Sequence, residues 1–415
     1  MSLTRRSLLR SVAVASAATF AGLRPRRALA AQGERKFIFF HASGGWDVTS
    51  VFDPHFDSAG VDMDTLAEPG RVGNIDFATG TDRPNVTRYF ERWAGRTCIV
   101  NGVNAHSVGH ESATQFMLTG TSASAYADWP TILAASSKTE YPLPHVVFGG
   151  PSFAGSYGSA VVRAGGGALL DLLDGSIVGM SDAPTPVLQT PSDSMIDAFV
   201  HGRVAAFAAD KTGLGRVRAD ALLSNLERDM ELEGRRFEAG LSDLGATMLD
   251  RGIKAAEMIR LGLSRCVMIG IDGGFDTHGT PSQAENFDAW FAALDGLLEY
   301  LAQTPGYSTP RLIDEVVVVG MSEFGRTPQY NGGNGRDHWP YGTVFLAGSG
   351  VAGNRRVGTT DGELISSPID FSTGQPDAGG DIPACENVGC ALLRLGGVDP
   401  EQHLPGIPVL DAVLA

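Results

Sequence analysis

Short apolar runs alternate along the chain with stretches whose apolar residues recur at the helical period. Runs at 36–40, 97–101, 146–148, 266–271 and 315–320 are β-branched or aromatic and bounded by Gly or acids, so they predict strands. Strands that are apolar throughout are buried on both faces, which points to a largely parallel sheet in an α/β fold. Residues 283–301 predict a helix with Phe287, Trp290, Phe291, Leu294, Leu297, Leu298 and Leu301 on one face. Residues 215–263 are helical in composition, with dense Arg/Glu pairs. Residues 384–395, followed by Gly396-Gly397 and Pro400, predict a late helix packed on the sheet. Residues 149–200, rich in Gly, Ser, Pro and Ala, read as irregular. Residues 149–263 together are expected to be an insertion or cap on one α/β domain spanning 31–415.

Composition narrows the class. Hydrophobic residues make up 43% of the 415 and charged residues 19%, enough for a sizeable core and against wholesale disorder. Four cysteines exclude a disulfide scaffold. Cys98 and Cys266 fall in strand-like runs as core thiols, whereas Cys385 and Cys390 could pair in an oxidising compartment. The net charge of −15 gives no basic surface for a nucleic acid.

Residues 1–30 read as a signal peptide. Arg5-Arg6 precede a mild apolar run, and Ala28-Leu29-Ala30 is a small-residue cleavage pattern, so the segment resembles a twin-arginine (Tat) export signal. Its expected partner is the Tat export machinery, and the expected location is periplasmic or secreted. No membrane anchor should remain after cleavage. The segment carries six arginines and no acid, so the mature chain would keep 26 basic residues against 47 acids. Such an acidic surface repels anionic polymers and attracts divalent cations.

Three predicted strands end alike. One runs into Gly44-Gly45-Trp46-Asp47, another into Asp272-Gly273-Gly274-Phe275-Asp276-Thr277-His278, a third into Ser322-Glu323-Phe324-Gly325-Arg326-Thr327. Loops beyond the carboxyl ends of parallel strands form the ligand crevice of an open α/β sheet. Acids gathered there repel one another, and a divalent cation relieves the repulsion. Gly335-Arg336-Asp337-His338-Trp339 adds a histidine. The mixed Asp/Glu/His set suits Zn, Mn, Mg or Ca. No cysteine lies near these loops in sequence, so thiolate ligation is not expected there. Acids and glycines after a strand also serve simply as turn formers or helix caps.

The segment from Asn104 to Gly120 follows a strand and should open a helix, whose N-terminus favours anions. Ser107, Ser112 and Thr114 are candidate nucleophiles, and His106 and His110 candidate bases or ligands. A role for Ser107 or Glu111 as no more than the helix cap accounts for them equally well. Arg326 or Arg336 could clamp an anion. His41 and His55 are expected to be structural; His145, His201 and His403 have no chemical neighbours in sequence.

Together these motifs resemble the bacterial exported family catalogued as "domain of unknown function 1501", above all Ser322–Thr327 followed by Gly335-Arg336-Asp337-His338. That family is similar to the alkaline phosphatase and sulfatase superfamily. The resemblance implies an alkaline-phosphatase-like three-layer sandwich with a mostly parallel central sheet and an inserted helical or irregular segment. It implies Asp47, Asp276, His278, Glu323 and His338 as metal ligands for one or two divalent ions. It puts His110 at the nucleophile's place, with Ser107 and Arg326 as further catalytic candidates. The implied function is hydrolysis of phosphate or sulfate esters, on a small anionic ester or cell-envelope substrate. The sequence departs from the superfamily at three points. Asp276 and His278 are two apart rather than four, Phe324 stands where a histidine ligand is expected, and no hydroxyl falls at the nucleophile position. These departures favour the alternative of a non-catalytic exported binding or assembly protein that keeps the fold and a structural metal. An envelope transferase is a third class.

Overall fold

A computed structural model describes residues 34–164, 190–233, 247–271 and 274–415; residues 1–30, expected from sequence to be an export signal, and Asp272-Gly273 lie outside them. Its strands are β1 (Lys36–Ala42), β2 (Glu68–Val72), β3 (Ile75–Thr79), β4 (Thr97–Asn104), β5 (His145–Phe148), β6 (Val161–Arg163), β7 (Cys266–Ile271), β8 (Val316–Ser322), β9 (Gly325–Arg326), β10 (His338–Trp339), β11 (Tyr341–Gly348) and β12 (Arg355–Val357). Its α-helices are α1 (Pro84–Trp93), α2 (His110–Thr119), α3 (Trp129–Ala135), α4 (Thr190–Ala209), α5 (Gly213–Glu233), α6 (Met248–Arg260), α7 (Ala284–Gln303) and α8 (Cys385–Leu395).

Eight strands form one sheet in the order β12-β4-β11-β8-β1-β7-β5-β6. Only β11 runs against its neighbours β4 and β8; every other pairing in that sheet is parallel. The mostly parallel α/β class expected from the apolar runs is therefore present. The carboxyl ends of β1, β4, β7 and β8 share one sheet edge.

Strand alternation divides the core in two. Ile38, Phe40, Val267, Ile269, Val316 and Val318 face one side, under α1, α6 and α7. Phe37, Phe39, Met268, Val317, Val319 and Met321 face the other, under α2, α3 and α8. Helix, sheet and helix make three layers. All seven apolar positions expected on α7 are fully buried. Helix α7 starts one residue after the expected boundary and ends two residues beyond it.

Between 149 and 263 the described pieces differ in role. Strand β6 pairs with β5 at the sheet edge, and α6 packs into the core with Ala255, Ala256, Met258 and Ile259. The stretch read as irregular thus includes a sheet strand and the start of α4. Helices α4 and α5 pack against each other. Strand β11 was not expected. Its apolar stretch follows Pro340 and Gly342 directly after a Gly-rich loop, and that punctuation reads as loop.

An aromatic group ties the core to the sheet edge. Trp46 packs on Trp290 with ring centroids 5.1 Å apart and on Phe52 at 5.1 Å; Trp290 meets Phe345 at 5.1 Å. Gly320 of β8 lies beneath this stack: a Cβ there would come 2.5 Å from Trp290 Cζ2 and 3.2 Å from Trp46. Gly320→Ala should therefore overpack the core and cost about 1–3 kcal/mol in urea unfolding. An unchanged unfolding midpoint would contradict the packing described.

Candidate metal centre

Three strand-end loops close on one another at the shared edge. Gly44 has φ +122° and Gly45 φ +89°, values open to glycine at little cost. A Cβ on Gly44 would strike the backbone of Phe275 and Asp276, and one on Gly45 would strike the Phe324 ring. The Gly-Gly pair thus lets the loop after β1 nest between those after β7 and β8. Arg326, fully buried, binds them together: Nε donates to Gly45 O at 3.2 Å, Nη1 to Arg336 O at 2.9 Å, and Nη2 to Phe275 O at 2.9 Å and to Gly44 O. Its Nη2 also meets Asp276 Oδ1 at 2.6 Å.

This nesting gathers four potential ligands. His110 opens α2, Asp276 and His278 follow β7, and His338 lies on β10 opposite Arg326. One donor atom from each of His110, Asp276 and His338 fits within a 4.8 Å span. Asp276 Oδ1 lies 3.2 Å from His278 Nε2 and 3.4 Å from His338 Nε2, and its Oδ2 lies 3.6 Å from His110 Nε2.

The other ring nitrogens are already engaged. His110 Nδ1 is 2.7 Å from Glu323 Oε1, His278 Nδ1 is 2.8 Å from Asp337 Oδ1, and His338 Nδ1 is 2.7 Å from Val108 O. A carbonyl and two carboxylates only accept, so each Nδ1 carries the proton, and in the neutral ring each Nε2 presents a lone pair. Yet Nε2 of His278 and of His338 stand 3.0 Å apart. Two lone pairs at that distance repel unless a proton or a cation lies between them. An oxygen acceptor behind each imidazole is the usual support of a metal-binding histidine.

The carboxylates are held ionised. Burial opposes the charge of Glu323, but the nearby His41 imidazole, the His110 hydrogen bond and the Gly44 amide outweigh it, so the carboxyl sits below its ordinary range. Burial likewise opposes the charge of Asp276, and the hydrogen bond and charge of Arg326 outweigh it. Hydrogen bonds from His278 and Asn331 hold Asp337 low. His41 is buried beside Glu323, and burial pushes its imidazole down, against the pull of Glu323.

Not every expected residue joins the group. Asp47 is 3% exposed and lies outside it. Its Oδ1 accepts from Thr49 N at 3.1 Å and Thr49 Oγ1 at 2.6 Å, capping a short 3-10 turn, and its Oδ2 pairs with Arg336 Nε at 3.0 Å. Glu323 stands behind His110: Oε1 also accepts from Gly44 N at 2.8 Å, and Oε2 from Ser322 Oγ at 2.9 Å. Ser107 Oγ accepts from Gly109 N at 3.1 Å in the turn before α2. Arg336 spends Nη1 on Thr327 O at 2.6 Å and on Pro328 O, and Nη2 on Asp62 O. Both arginines are therefore tied to loop carbonyls.

A cavity of about 690 Å³ opens beside the group, lined by His110, Asp276, Glu323, Thr114 and Ser43 among others. Ser43 is exposed there. Sequence reading passed over Ser43 and over the supporting roles of Asp337 and the Val108 carbonyl. Asp337 adjoins His338 in a motif already singled out, and that adjacency was the available signal.

Comparison with solved structures finds distant likenesses, each 10% identical. Ps i-CgsB in complex with k-i-k-neocarrahexaose aligns at TM-score 0.40 over 91% of this chain and 75% of that one. BT4656 in complex with its substrate D-glucosamine-2-N,6-O-disulfate aligns at 0.37 over 92% and 80%. BT1596, a 2-O GAG sulfatase, aligns at 0.32 over 91% and 73%. No curated protein matches the chain. The family model described as "Protein of unknown function (DUF1501)" matches residues 34–366, most of the chain, and the protein belongs to that family.

Proposed function

We propose that this protein is an exported, metal-dependent hydrolase of phosphate or sulfate esters. The supporting observation is the inward set of Nε2 atoms around Asp276, each imidazole backed by an oxygen acceptor. The imidazoles of His110 and His338 and the Asp276 carboxylate, with the His278 imidazole beside them, form a nitrogen-rich donor set suited to Zn or Mn, more than to Ca or Mg. Bound there, a divalent ion would supply Lewis acidity to an ester oxygen or to an attacking water.

The chain's own residues do the rest. Glu323 and Asp337 fix the tautomer and orientation of His110 and His278, and the Val108 carbonyl does so for His338. Arg326 positions Asp276 and the three loops. The first turn of α2 opens onto the cavity through His110 and Glu111, where its free amides favour an anionic group. Thr114 and Ser43 are the hydroxyls at the cavity wall. No helix among the described residues is long and apolar enough to cross a membrane. Passage through the twin-arginine route to the periplasm or exterior is part of the proposal and rests on residues 1–30.

The engagement of Ser107 within its own turn favours a second reading, a binding or assembly protein that holds the ion without turnover. A screen of phosphomonoesters, phosphodiesters and sulfate esters with added Zn, Mn, Mg or Ca separates the two. The hydrolase reading expects turnover of one ester class. Glu323→Gln should lower that turnover or the metal affinity by roughly 10–100-fold. Bound metal with no turnover on any ester would leave the binding reading.

The ligand set is tested by metal content. Purified wild type should carry at least one divalent ion, and the Asp276→Ala/His338→Ala double variant should lose it. Equal metal content in the two proteins would remove this ligand assignment.

A further inference from the structure

A second donor cluster stands beside the first, built from different residues. His106 lies in the loop between β4 and α2, and Cys385 and Glu386 open α8. His106 Nε2 is 2.9 Å from Glu386 Oε2 and 3.2 Å from Oε1, while Cys385 Sγ is 3.3 Å from Glu386 Oε2. One donor atom from each residue fits within a 4.8 Å span.

The backbone holds this arrangement in place. Asn104 N donates to Pro383 O at 2.9 Å, and Asn104 forms a parallel bridge to Ala384, so the end of β4 is tied to the start of α8. Asn104 Oδ1 accepts from His106 N at 2.9 Å. His106 then takes φ +57°, an unusual conformation for a residue with a side chain. Its ring rests on Phe116 at a centroid distance of 5.3 Å. Cys385 is fully buried, whereas the His106 side chain is 35% exposed and that of Glu386 19%. The cluster is therefore open to solvent on the imidazole side and closed behind the sulfur.

We propose that His106, Cys385 and Glu386 bind a thiophilic divalent cation such as Zn2+, separately from the His110/Asp276/His338 group. Sulfur, imidazole and carboxylate make a softer donor set than the nitrogen-rich one beside it, so the two clusters differ in metal preference. The Cys385 thiol donates to Glu386 Oε2 at 3.3 Å, and a bound cation would take the place of that proton. Binding forms a sulfur–metal bond, breaks the S–H bond and releases one proton to solvent. The bound ion would staple α8 to the loop that carries the Val108 carbonyl and leads into His110. This inference does not depend on the ester-hydrolase reading.

Cadmium titration of the full reduced chain tests it, in the Asp276→Ala/His338→Ala background that disables the first group. A thiolate-to-cadmium charge-transfer absorption should grow to one equivalent per chain and disappear in Cys385→Ser. The exposed-side variants His106→Ala and Glu386→Gln should keep the native circular dichroism, and each should weaken cadmium binding more than about tenfold. They carry the test if Cys385→Ser does not fold. No charge-transfer absorption at saturating cadmium, a band that survives Cys385→Ser, or affinity unchanged by both other variants would overturn the proposal.

Discussion

The candidate centre depends on how three imidazoles spend their Nδ1 protons. Each is donated to an oxygen that can only accept: Glu323, Asp337 or the Val108 carbonyl. This leaves Nε2 lone pairs turned toward Asp276, with two of them 3.0 Å apart. Fixed lone pairs at that spacing are an unfavourable arrangement by themselves and a favourable one around a positive charge. The surrounding fold maintains it through the buried Arg326, the Gly44-Gly45 turn and the Trp46 aromatic stack.

Sheet topology supplies the convergence. Residues 41–47, 104–110, 274–278 and 322–326 are far apart in sequence, yet they leave the same edge because β1, β4, β7 and β8 point the same way. Strand β11 adds a structural link. It runs antiparallel between β4 and β8 and follows β10 directly, so the His338 loop arrives at that edge as well. The second cluster has the same origin, because β4 delivers His106 to the start of α8.

Strands β1, β4, β5, β7 and β8, helix α7 and the strand-end loops were legible because burial writes a periodic pattern into sequence. Asp276, His278 and His338 stood out by residue type next to strand ends. Their geometry was not legible. Asp47 and Glu323 looked equivalent to Asp276 as acids after strands, yet Asp47 caps a turn and pairs with Arg336, and Glu323 supports His110. Which acid faces the crevice depends on which way a loop turns, and sequence spacing carries little of that. The proximity of Cys385 to His106 was equally hidden, since 279 positions separate them. The pairing of Asn104 with Pro383 and Ala384 brings them together.

The most direct test of the central claim is a crystal structure of the metal-loaded protein with anomalous data collected across the edge of the loaded metal. The account predicts an anomalous peak at about 2.0–2.2 Å from His110 Nε2, His338 Nε2 and an Asp276 oxygen, the range for nitrogen and carboxylate ligands of zinc. A map without that peak, in which the His278 and His338 rings share a proton or turn away from each other, would contradict it.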